Sequence, residues 1–301
     1  MSTALRIGTR DSALALWQAE KVKRELESRG TSCEIVTIKS EGDLNLTTPI
    51  YQMGLTGVFT KTLDAALLSN RIDLAVHSLK DVPTLLAEGL RLAATLKRAN
   101  PKDVLVKGSD PNSNTIATGS LRRKAQWLHR FTEDQVIGLR GNVQTRLGKV
   151  AEQRIKGGIF AAAGLERLGL NTSAVEPLDW MISAPAQGAI AIATREDDEK
   201  VNDACTPLND ENTALAVTLE REFLRKLEGG CSSPIGAYAA IENDTLHFKG
   251  GLFSLDGSEA IVVERSFAKA AAIEQIDALV QEVLENGGRT VLKKIRDGQN
   301  S

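Results

Sequence analysis

The sequence is poor in the residues that build several common kinds of functional site. Its 301 residues include three Cys, three His, three Met, three Trp and two Tyr. The cysteines (Cys33, Cys205 and Cys231) are odd in number and show no CxxC spacing, and the histidines are equally scattered. Neither a disulfide framework nor a metal site is therefore indicated. The few aromatic rings also leave few platforms on which nucleic-acid bases could stack.

Charge and hydropathy argue against two further classes of protein. A formal net charge of -2 gives no overall basic field, which argues against a nucleic-acid partner. No apolar run approaches the roughly 18 residues of a membrane span, and Met1–Gly8 lacks the basic start and apolar core of a signal peptide. We expect a cytoplasmic protein with no membrane partner. A composition of 42% hydrophobic and 25% charged residues is ordinary for a globular chain of about two or three domains.

The stretch Ile72–Pro83 combines an apolar run with a charged turn. Leu74–Val76, flanked by polar residues, favours a buried strand of a parallel sheet, and ligands bind beyond the carboxyl ends of such strands. Lys80 and Asp81 fall at that place. Because Pro83 cannot continue a strand ladder, the chain must turn with a cation and a carboxylate side by side. A plain surface turn explains this stretch equally well.

Cations recur at this kind of position along the chain. Residues 1–40 predict a strand, a helix and a strand, whose right-handed crossover places Arg10 at a strand's carboxyl end. Three cations after Thr115–Thr118 fall in the first turn of a helix and oppose its dipole; they indicate either a bound anion or side chains that point into water. The cations at or just after predicted strand ends are Arg10, Lys80, Arg122, Arg123, Arg140, Arg146 and Arg167. A cleft lined in this way would bind a substrate with several carboxylates or phosphates.

Two breaks divide the first two thirds of the chain into α/β blocks. Lys97–Asp103 interrupts the pattern with charge and a proline, and Ser183–Gly188 precedes another apolar run. Two crossings between two α/β blocks predict a hinged binding-protein fold with its cleft between the blocks. We predict a first domain of residues 1–96 and 189–208 and a second of residues 97–188.

The last third of the chain changes character. A helix at Asn212–Leu227 precedes three strand candidates joined by turn sequences, and an amphipathic helix covers Ala270–Leu284. These features predict a third, α+β domain, residues 209–301, with a three-stranded antiparallel sheet. Cys231 lies in the loop after the first helix, beside glycines that leave room around its sulfur. An inert buried cysteine is the alternative to a reactive one.

Eight short motifs occur in order between Arg6 and about Leu292. They are Gly-Thr-Arg-Asp-Ser (8–12), Glu-Gly-Asp (41–43), His-Ser-Leu-Lys-Asp-Val-Pro (77–83), Gly-Ser-Leu-Arg-Arg (119–123), Leu-Arg-Gly-Asn-Val-Gln-Thr-Arg-Leu (139–147), Ala-Gly-Leu-Glu-Arg-Leu (163–168), Gln-Gly-Ala (187–189) and Leu-Glu-Gly-Gly-Cys (227–231). Any one would be weak, but the ordered set is specific. It resembles the porphobilinogen deaminase family, also called hydroxymethylbilane synthase.

The resemblance implies two domains like a type II periplasmic binding protein and a third that carries the cysteine. It implies a monomeric transferase of tetrapyrrole (porphyrin and heme) biosynthesis, which condenses four porphobilinogen molecules with loss of ammonia and releases hydroxymethylbilane by hydrolysis. Cys231 would hold a dipyrromethane cofactor by a thioether, and Asp81 would be the catalytic carboxylate. The remaining implied residues are Lys80, Ser120, Arg122, Arg123 and Arg140 for the cofactor, and Arg10, Ser12, Phe59, Arg146, Arg167 and Gln187 for the substrate.

The sequence departs from the family pattern in two places. Gln52 and Thr56 stand where lysines are common in the loop before Phe59, and that loop often acts as a lid. Ala191 and Ala193 replace a glycine and a glutamate. Neither departure affects Asp81, Cys231 or the arginines.

Two other functions are compatible with parts of the pattern. A ligand-binding protein of the same hinged plan would explain the cleft, since fold does not dictate function, but not an added domain that presents Cys231. A phosphate-handling transferase could use the same arginines, but the sequence has no GxxxxGK[ST] loop and no evident pair of carboxylates for Mg²⁺. A covalent dipyrrole detected in the intact mass would decide among the three.

Overall fold

The computed structural model describes residues 4–39, 60–170, 175–227 and 233–299. Phe59 and Cys231, two predicted site residues, lie outside the described residues, as do Gln52, Thr56 and the 41–43 motif. Lys80, Asp81 and all the arginines of the predicted cleft are described.

Strands and helices are interspersed through residue 205, after which one helix, three consecutive strands and two further helices follow. The described strands are β1 (Leu5–Thr9), β2 (Cys33–Thr37), β3 (Leu74–Ser78), β4 (Leu90–Thr95), β5 (Asp103–Lys107), β6 (Thr115–Ala117), β7 (Gln135–Ile137), β8 (Gly157–Ala161), β9 (Val175–Pro177), β10 (Ile190–Arg195), β11 (Ile235–Glu242), β12 (Thr245–Phe253) and β13 (Ala260–Ala268). The described α-helices are α1 (Ala13–Glu27), α2 (Lys61–Leu68), α3 (Leu121–Arg130), α4 (Val143–Glu152), α5 (Ala162–Arg167), α6 (Glu199–Cys205), α7 (Glu211–Lys226), α8 (Ala272–Val283) and α9 (Arg289–Gln299).

The first unit is built on a sheet with the strand order β2-β1-β3-β10-β4. β1 runs parallel to β2 and β3, whereas β10 runs antiparallel to β3 and β4. The sheet is therefore mixed, and the parallel surroundings predicted for β3 occur on one side only, because β10 returns from the second crossing in the opposite direction. Ile7, Leu74 and Ile192 are fully buried in this sheet and share a core with Val22 and Leu26 of α1.

The second unit repeats this design with the order β7-β6-β8-β5-β9. β6 is parallel to β7 and β8, and β5 is antiparallel to β8 and β9. Polar side chains cap the helices that follow these strands: Ser120 Oγ accepts from the Arg123 backbone N–H at the start of α3, and Asn142 Oδ1 accepts from the Thr145 N–H at 2.9 Å at the start of α4. The cap thus holds the first turn of α3 at the carboxyl end of β6.

The third unit is an antiparallel meander, β11-β12-β13, covered by helices. Phe223 of α7 and Phe248 of β12 stack edge to face with ring centroids 5.2 Å apart, and Leu279 of α8 joins their core. The predicted helix at Asn212–Leu227 and the predicted three-stranded sheet are present, whereas α9 was not predicted. Among the described residues, no helix has the length and apolar character needed to cross a membrane.

The two crossings run side by side between the first and second units. The Ala99 N–H donates to the Gly188 carbonyl at 3.1 Å, and Arg98 Nε donates to the Gln187 carbonyl at 2.8 Å. Gly188 has φ = 87°, and a Cβ there would lie 2.7 Å from the Ala99 oxygen, so only glycine permits this approach. The predicted fold class, two hinged α/β units and a C-terminal α+β unit, is confirmed; the domain limits stay a prediction.

Candidate active site

The charged turn predicted after β3 is a single turn of 3-10 helix, Leu79–Asp81. Leu79 and Val82 are buried, whereas Lys80 and Asp81 are partly exposed. The Leu79 N–H donates to the Ala189 carbonyl at 3.0 Å, which ties the turn to the second crossing. Pro83, which has no N–H to extend a ladder, follows the turn directly. The turn therefore presents the Lys80 and Asp81 side chains while its apolar residues anchor it.

A pocket opens beside Asp81 at the carboxyl ends of β1 and β3. Its lining includes Arg10 and Ser12, both predicted substrate-binding residues, together with Gln18, His77 and Asp81. Ser12 caps α1, and Gln18 Nε2 donates to Ser78 Oγ at 2.8 Å. The β1–α1 connection and the β3 turn thus bring the predicted substrate contacts and the predicted catalytic carboxylate to one place.

His77 is a residue of this pocket for which the sequence predicted no role of its own. Its side chain is 6% exposed. Burial, with a smaller effect of the Arg10 charge, lowers the pKa of His77 to about 4. The imidazole is therefore neutral near pH 7 and places no second positive charge beside Arg10.

The two arginines at the start of α3, Arg122 and Arg123, do not point into water. An external anion cannot reach them from every side. Arg122 and Arg123 are 4% and 6% exposed. Arg122 Nη1 donates to Asp103 Oδ2 at 2.7 Å, and Arg123 Nε donates to Asp103 Oδ1 at 2.9 Å. Arg123 also donates to the Ile159 carbonyl and Arg122 to the Ile182 carbonyl. The anion at this helix start is thus a carboxylate of the chain itself.

Asp103 opens β5 and is fully buried. Burial alone would raise its pKa, but the charges of Arg122 and Arg123 outweigh that effect and hold the pKa of Asp103 well below its usual range. Gln187 Nε2 donates to the same carboxylate at 3.0 Å, and Gln187 Oε1 accepts from Lys80 Nζ at 3.3 Å. Gln187, a predicted substrate contact, therefore bridges the Lys80 turn and the arginine pair.

Lys80, Arg140 and Arg146 complete a group of cations that influence one another. Burial and then the charge of Arg123 lower the pKa of Lys80 to about 8, and the same two causes lower the pKa of Arg146 to about 10. Burial lowers the pKa of Arg140, whose charge in turn acts on Arg146. Asp81 raises the pKa of both Lys80 and Arg146. Its carboxylate is therefore electrostatically linked to groups from both units.

Arg167 lies at the crossing between the two units. Its Nη2 donates to the Gly188 carbonyl at 2.6 Å, and its guanidinium carbon is 5.8 Å from the centroid of the Trp17 ring. Burial lowers the pKa of Arg167 to about 10. These contacts join α5 to α1 and to the second crossing.

Sequence reasoning assigned no function to two buried carboxylates that organise this region, Asp103 and Glu220. The sequence placed Asp103 in the first break, whereas in the structure it is the first residue of β5 and is fully buried. Glu220 falls on the inward face of α7, four residues after Ala216, and is fully buried. In both cases the partner of the carboxylate is far away in the sequence.

Comparison with known proteins identifies the family of this chain. A family model described as "Porphobilinogen deaminase, dipyromethane cofactor binding domain" matches residues 5–203, and one described as "Porphobilinogen deaminase, C-terminal domain" matches residues 214–286. The chain belongs to the porphobilinogen deaminase family. A relative named porphobilinogen deaminase from Trichlorobacter lovleyi is 42% identical over 97% of this chain and 96% of its own length. One from Syntrophotalea carbinolica is 42% identical over 94% of this chain and 93% of its own length.

Solved structures resemble the chain only distantly. A periplasmic VFT2 domain of BvgS from Bordetella pertussis covers 67% of this chain and 85% of its own, with 13% identity and a TM-score of 0.41. A substrate-binding protein of an amino acid ABC transporter covers 74% of this chain and 94% of its own, with 14% identity and a TM-score of 0.37. The fold class therefore follows from the strand order of this chain itself, a member of the porphobilinogen deaminase family.

The residues present suit the dipyrromethane that the first family description names. Each of its pyrroles carries an acetate and a propionate, so the group is strongly anionic. The cations Lys80, Arg122, Arg123, Arg140 and Arg146 outnumber the neighbouring carboxylates, Asp81 and Asp103. The buried Nε of Arg122 has no hydrogen-bond partner among the described residues. An excess of cations with a donor to spare is the donor set that a polycarboxylate requires.

Proposed function

We propose that this protein catalyses the stepwise condensation of four porphobilinogen molecules, with loss of ammonia at each step, and releases hydroxymethylbilane by hydrolysis. Membership of the family supports the assignment to tetrapyrrole biosynthesis. The observation that carries the mechanism is the place of Asp81. It is a carboxylate beside a pocket lined by Arg10 and Ser12 and is electrostatically linked to Lys80 and Arg146.

Asp81 is proposed to transfer protons at the leaving amino group and the pyrrole nitrogen of the substrate. Its negative charge also stabilises the positive charge that develops on the substrate when ammonia departs. Such electrostatic stabilisation is commonly the largest contribution to catalysis. Arg10 and Ser12 bind the substrate carboxylates and so orient the aminomethyl carbon toward Asp81. Phe59 is proposed to pack against the substrate ring.

Lys80, Ser120, Arg122, Arg123 and Arg140 are proposed to bind the carboxylates of the dipyrromethane, and Arg146, Arg167 and Gln187 those of the growing chain. When bound, the dipyrromethane supplies the pyrrole carbon to which the first substrate unit is joined. Cys231 is the proposed point of attachment through a thioether. The arginine pair contributes fixed charge there because Asp103 holds both guanidinium groups in place.

We also propose that the domains are residues 1–96 with 189–208, residues 97–188, and residues 209–301. Placement of β10 within the first sheet supports the first limit. The side-by-side crossings support a hinge at residues 97–103 and 183–188.

The test is denaturing mass spectrometry after brief mixing of the protein with limiting porphobilinogen. We expect a ladder of covalent species, each one deaminated pyrrole heavier than the last, that ends at four additions. A single reversible complex with an unchanged denatured mass would instead make the protein a ligand binder.

Cys231→Ser is the control for the attachment point. An alcohol is a far poorer nucleophile than a thiolate and cannot form the thioether. We expect this variant to fold, to have the mass of the bare polypeptide and to give no ladder. An adduct on Cys33 or Cys205 would move the attachment point to that residue.

A further inference from the structure

The turn that carries Lys80 and Asp81 has backbone carbonyls that its own helical turn does not satisfy. Its 3-10 hydrogen bond joins the Val82 N–H to the Leu79 carbonyl at 3.1 Å. The carbonyls of Val82 and Pro83 come after that bond, and Val82 is 3% exposed. A buried carbonyl without a partner is costly, so the Val82 carbonyl requires a donor from elsewhere in the chain.

Arg221, on α7 of the third unit, supplies this donor. Its Nη1 donates to the Val82 carbonyl at 2.8 Å and its Nη2 donates to the Pro83 carbonyl at 2.6 Å, with a longer contact of 3.5 Å to the Leu79 carbonyl. Arginine suits this position because its rigid planar fork serves two acceptors at once.

The same face of α7 also holds the turn by apolar packing. Val217, one helical turn before Arg221, is 2% exposed and shares a small core with Leu79, Val82 and Ala189. α7 therefore holds the turn in two ways, through the guanidinium group of Arg221 and through the buried apolar contact of Val217. Both contacts are interdomain if the proposed limits hold.

The helix that holds the turn is itself fixed to both crossings. Glu220, next to Arg221, is fully buried and accepts from the Ala186 N–H at 2.6 Å and the Ala239 N–H at 2.7 Å. Its carboxylate also receives two bonds from Arg98, of 2.5 and 3.1 Å. α7 then ends at Lys226, five residues before Cys231. One rigid helix therefore connects the turn to the segment that carries the proposed attachment point.

We propose that Arg221 is a positioning residue for the reaction: it fixes the Lys80–Asp81 turn to the helix that leads to Cys231, and so sets the place of the Asp81 carboxylate relative to the site of attachment. This inference rests on the proposed function. Arg221 acts through the backbone of residues 79–83, not through contact with substrate. A displacement of about 1 Å at a reacting group can cost about 100-fold in rate, which is the scale of effect expected here.

The primary test compares Arg221→Gln with the parent in steady-state and single-turnover kinetics. We expect kcat to fall about 10-fold to 100-fold, with KM within about 3-fold of the parent, because Arg10 and Ser12 are untouched. Arg225→Gln is the matched control: it lies one turn further along α7, is exposed, and pairs with Glu222 at 2.6 Å. It should retain parental kcat and KM.

A second readout does not depend on the loaded enzyme. In a Cys231→Ser background, hydrogen exchange of the amides of residues 79–82 should be faster with Arg221→Gln than with the parent residue, and unchanged with Arg225→Gln. Exchange that is equal in all three proteins would overturn the proposal.

Arg221→Lys decides the question if Arg221→Gln does not fold. One ammonium group lacks the planar fork, so we expect kcat at least 3-fold below the parent with a parental KM. A parental kcat in either Arg221 variant overturns the proposal, even if the thermal midpoint falls, because Arg221 would then be a structural brace only. The ladder in the parent is measured first: its absence refutes the proposed function, whereas its presence with parental kinetics in the variants refutes only the role of Arg221.

Discussion

In the second unit Arg122 and Arg123 are more than nine-tenths buried and share the Asp103 carboxylate, whereas in the first unit Arg10, Ser12 and Asp81 line an open pocket. One side of the cleft thus neutralises part of its charge internally and holds its cations rigidly. The other side leaves a carboxylate beside space for a ligand. This difference is compatible with the proposed roles, in which the second unit binds anions in a fixed geometry and the first unit transfers protons.

Asp81→Asn removes the carboxylate from the pocket of the first unit. The change keeps the shape of the side chain but removes the exchangeable proton and the negative charge, so turnover should fall by about 100-fold to 10,000-fold. Stability should change little because Asp81 is partly exposed. Single-turnover mass spectrometry and a thermal melt measure the two effects. A turnover within a few-fold of the parent would show that Asp81 is only a turn residue.

Asp103→Asn disrupts the binding side instead. It leaves two buried guanidinium groups without their common carboxylate, and the free energy of unfolding should drop by about 3–5 kcal/mol. Asp179→Asn is the control, since Asp179 pairs with Lys102 at a similar distance of 2.6 Å but is 69% exposed; it should cost less than about 1 kcal/mol. Urea unfolding of both variants provides the measurement, and equal losses would contradict the buried role of Asp103.

Leucine substitutions separate the cations that Asp103 holds from those it does not. Arg122→Leu and Arg123→Leu should lower both stability and dipyrromethane retention, because each breaks a buried pair. Arg140→Leu should fold but weaken dipyrromethane retention, and Arg146→Leu should fold but stall chain elongation, since a lengthening chain must exchange its carboxylates among several cations. The distribution of covalent species by mass reports the stage. Loss of the first addition alone in all four variants would refute this division.

His77→Gln tests the neutral imidazole in the pocket of the first unit. The folded-state pKa of His77, about 4, lies below the unfolded value of about 6.5, so the unfolded chain binds the proton first as the pH falls through this window. Parental stability should therefore drop by about 2 kcal/mol between pH 7 and pH 5 through this residue, and the variant should lack that component. Urea midpoints at the two pH values measure it. His247→Gln, at an exposed histidine, is the control variant and should retain the drop in stability that His77 causes.

Local features of the cleft could be predicted from the sequence, and long-range pairs could not. Pro83 and the apolar run before it placed the Lys80–Asp81 turn, and the cap by Ser120 placed the arginines at the start of a helix. In contrast, Asp103 lies 20 residues from Arg123, and Arg221 lies 138 residues from Pro83. Periodicity reports which face of an element is buried but not which distant group satisfies a buried charge.

Strand β9 shows a second limit. Its three residues, Val175–Pro177, are too few for an alternation pattern to be distinguished from a loop. The direction of β10 also could not be predicted from the sequence, because an apolar run fits a parallel or an antiparallel neighbour equally well. The motifs of the family, by contrast, gave the predicted site residues without any knowledge of these strands.

The place of β10 has a consequence for synthesis on the ribosome. β10 lies between β3 and β4, so the first sheet lacks an inner strand until residue 195 has been made, whereas every strand of the second sheet precedes residue 178. At roughly 5–20 residues per second, β10 follows β4 by roughly 5–20 s. The second unit can therefore complete its sheet first, and until β10 is made the edges of β3 and β4 that it will pair with stay open to other strands.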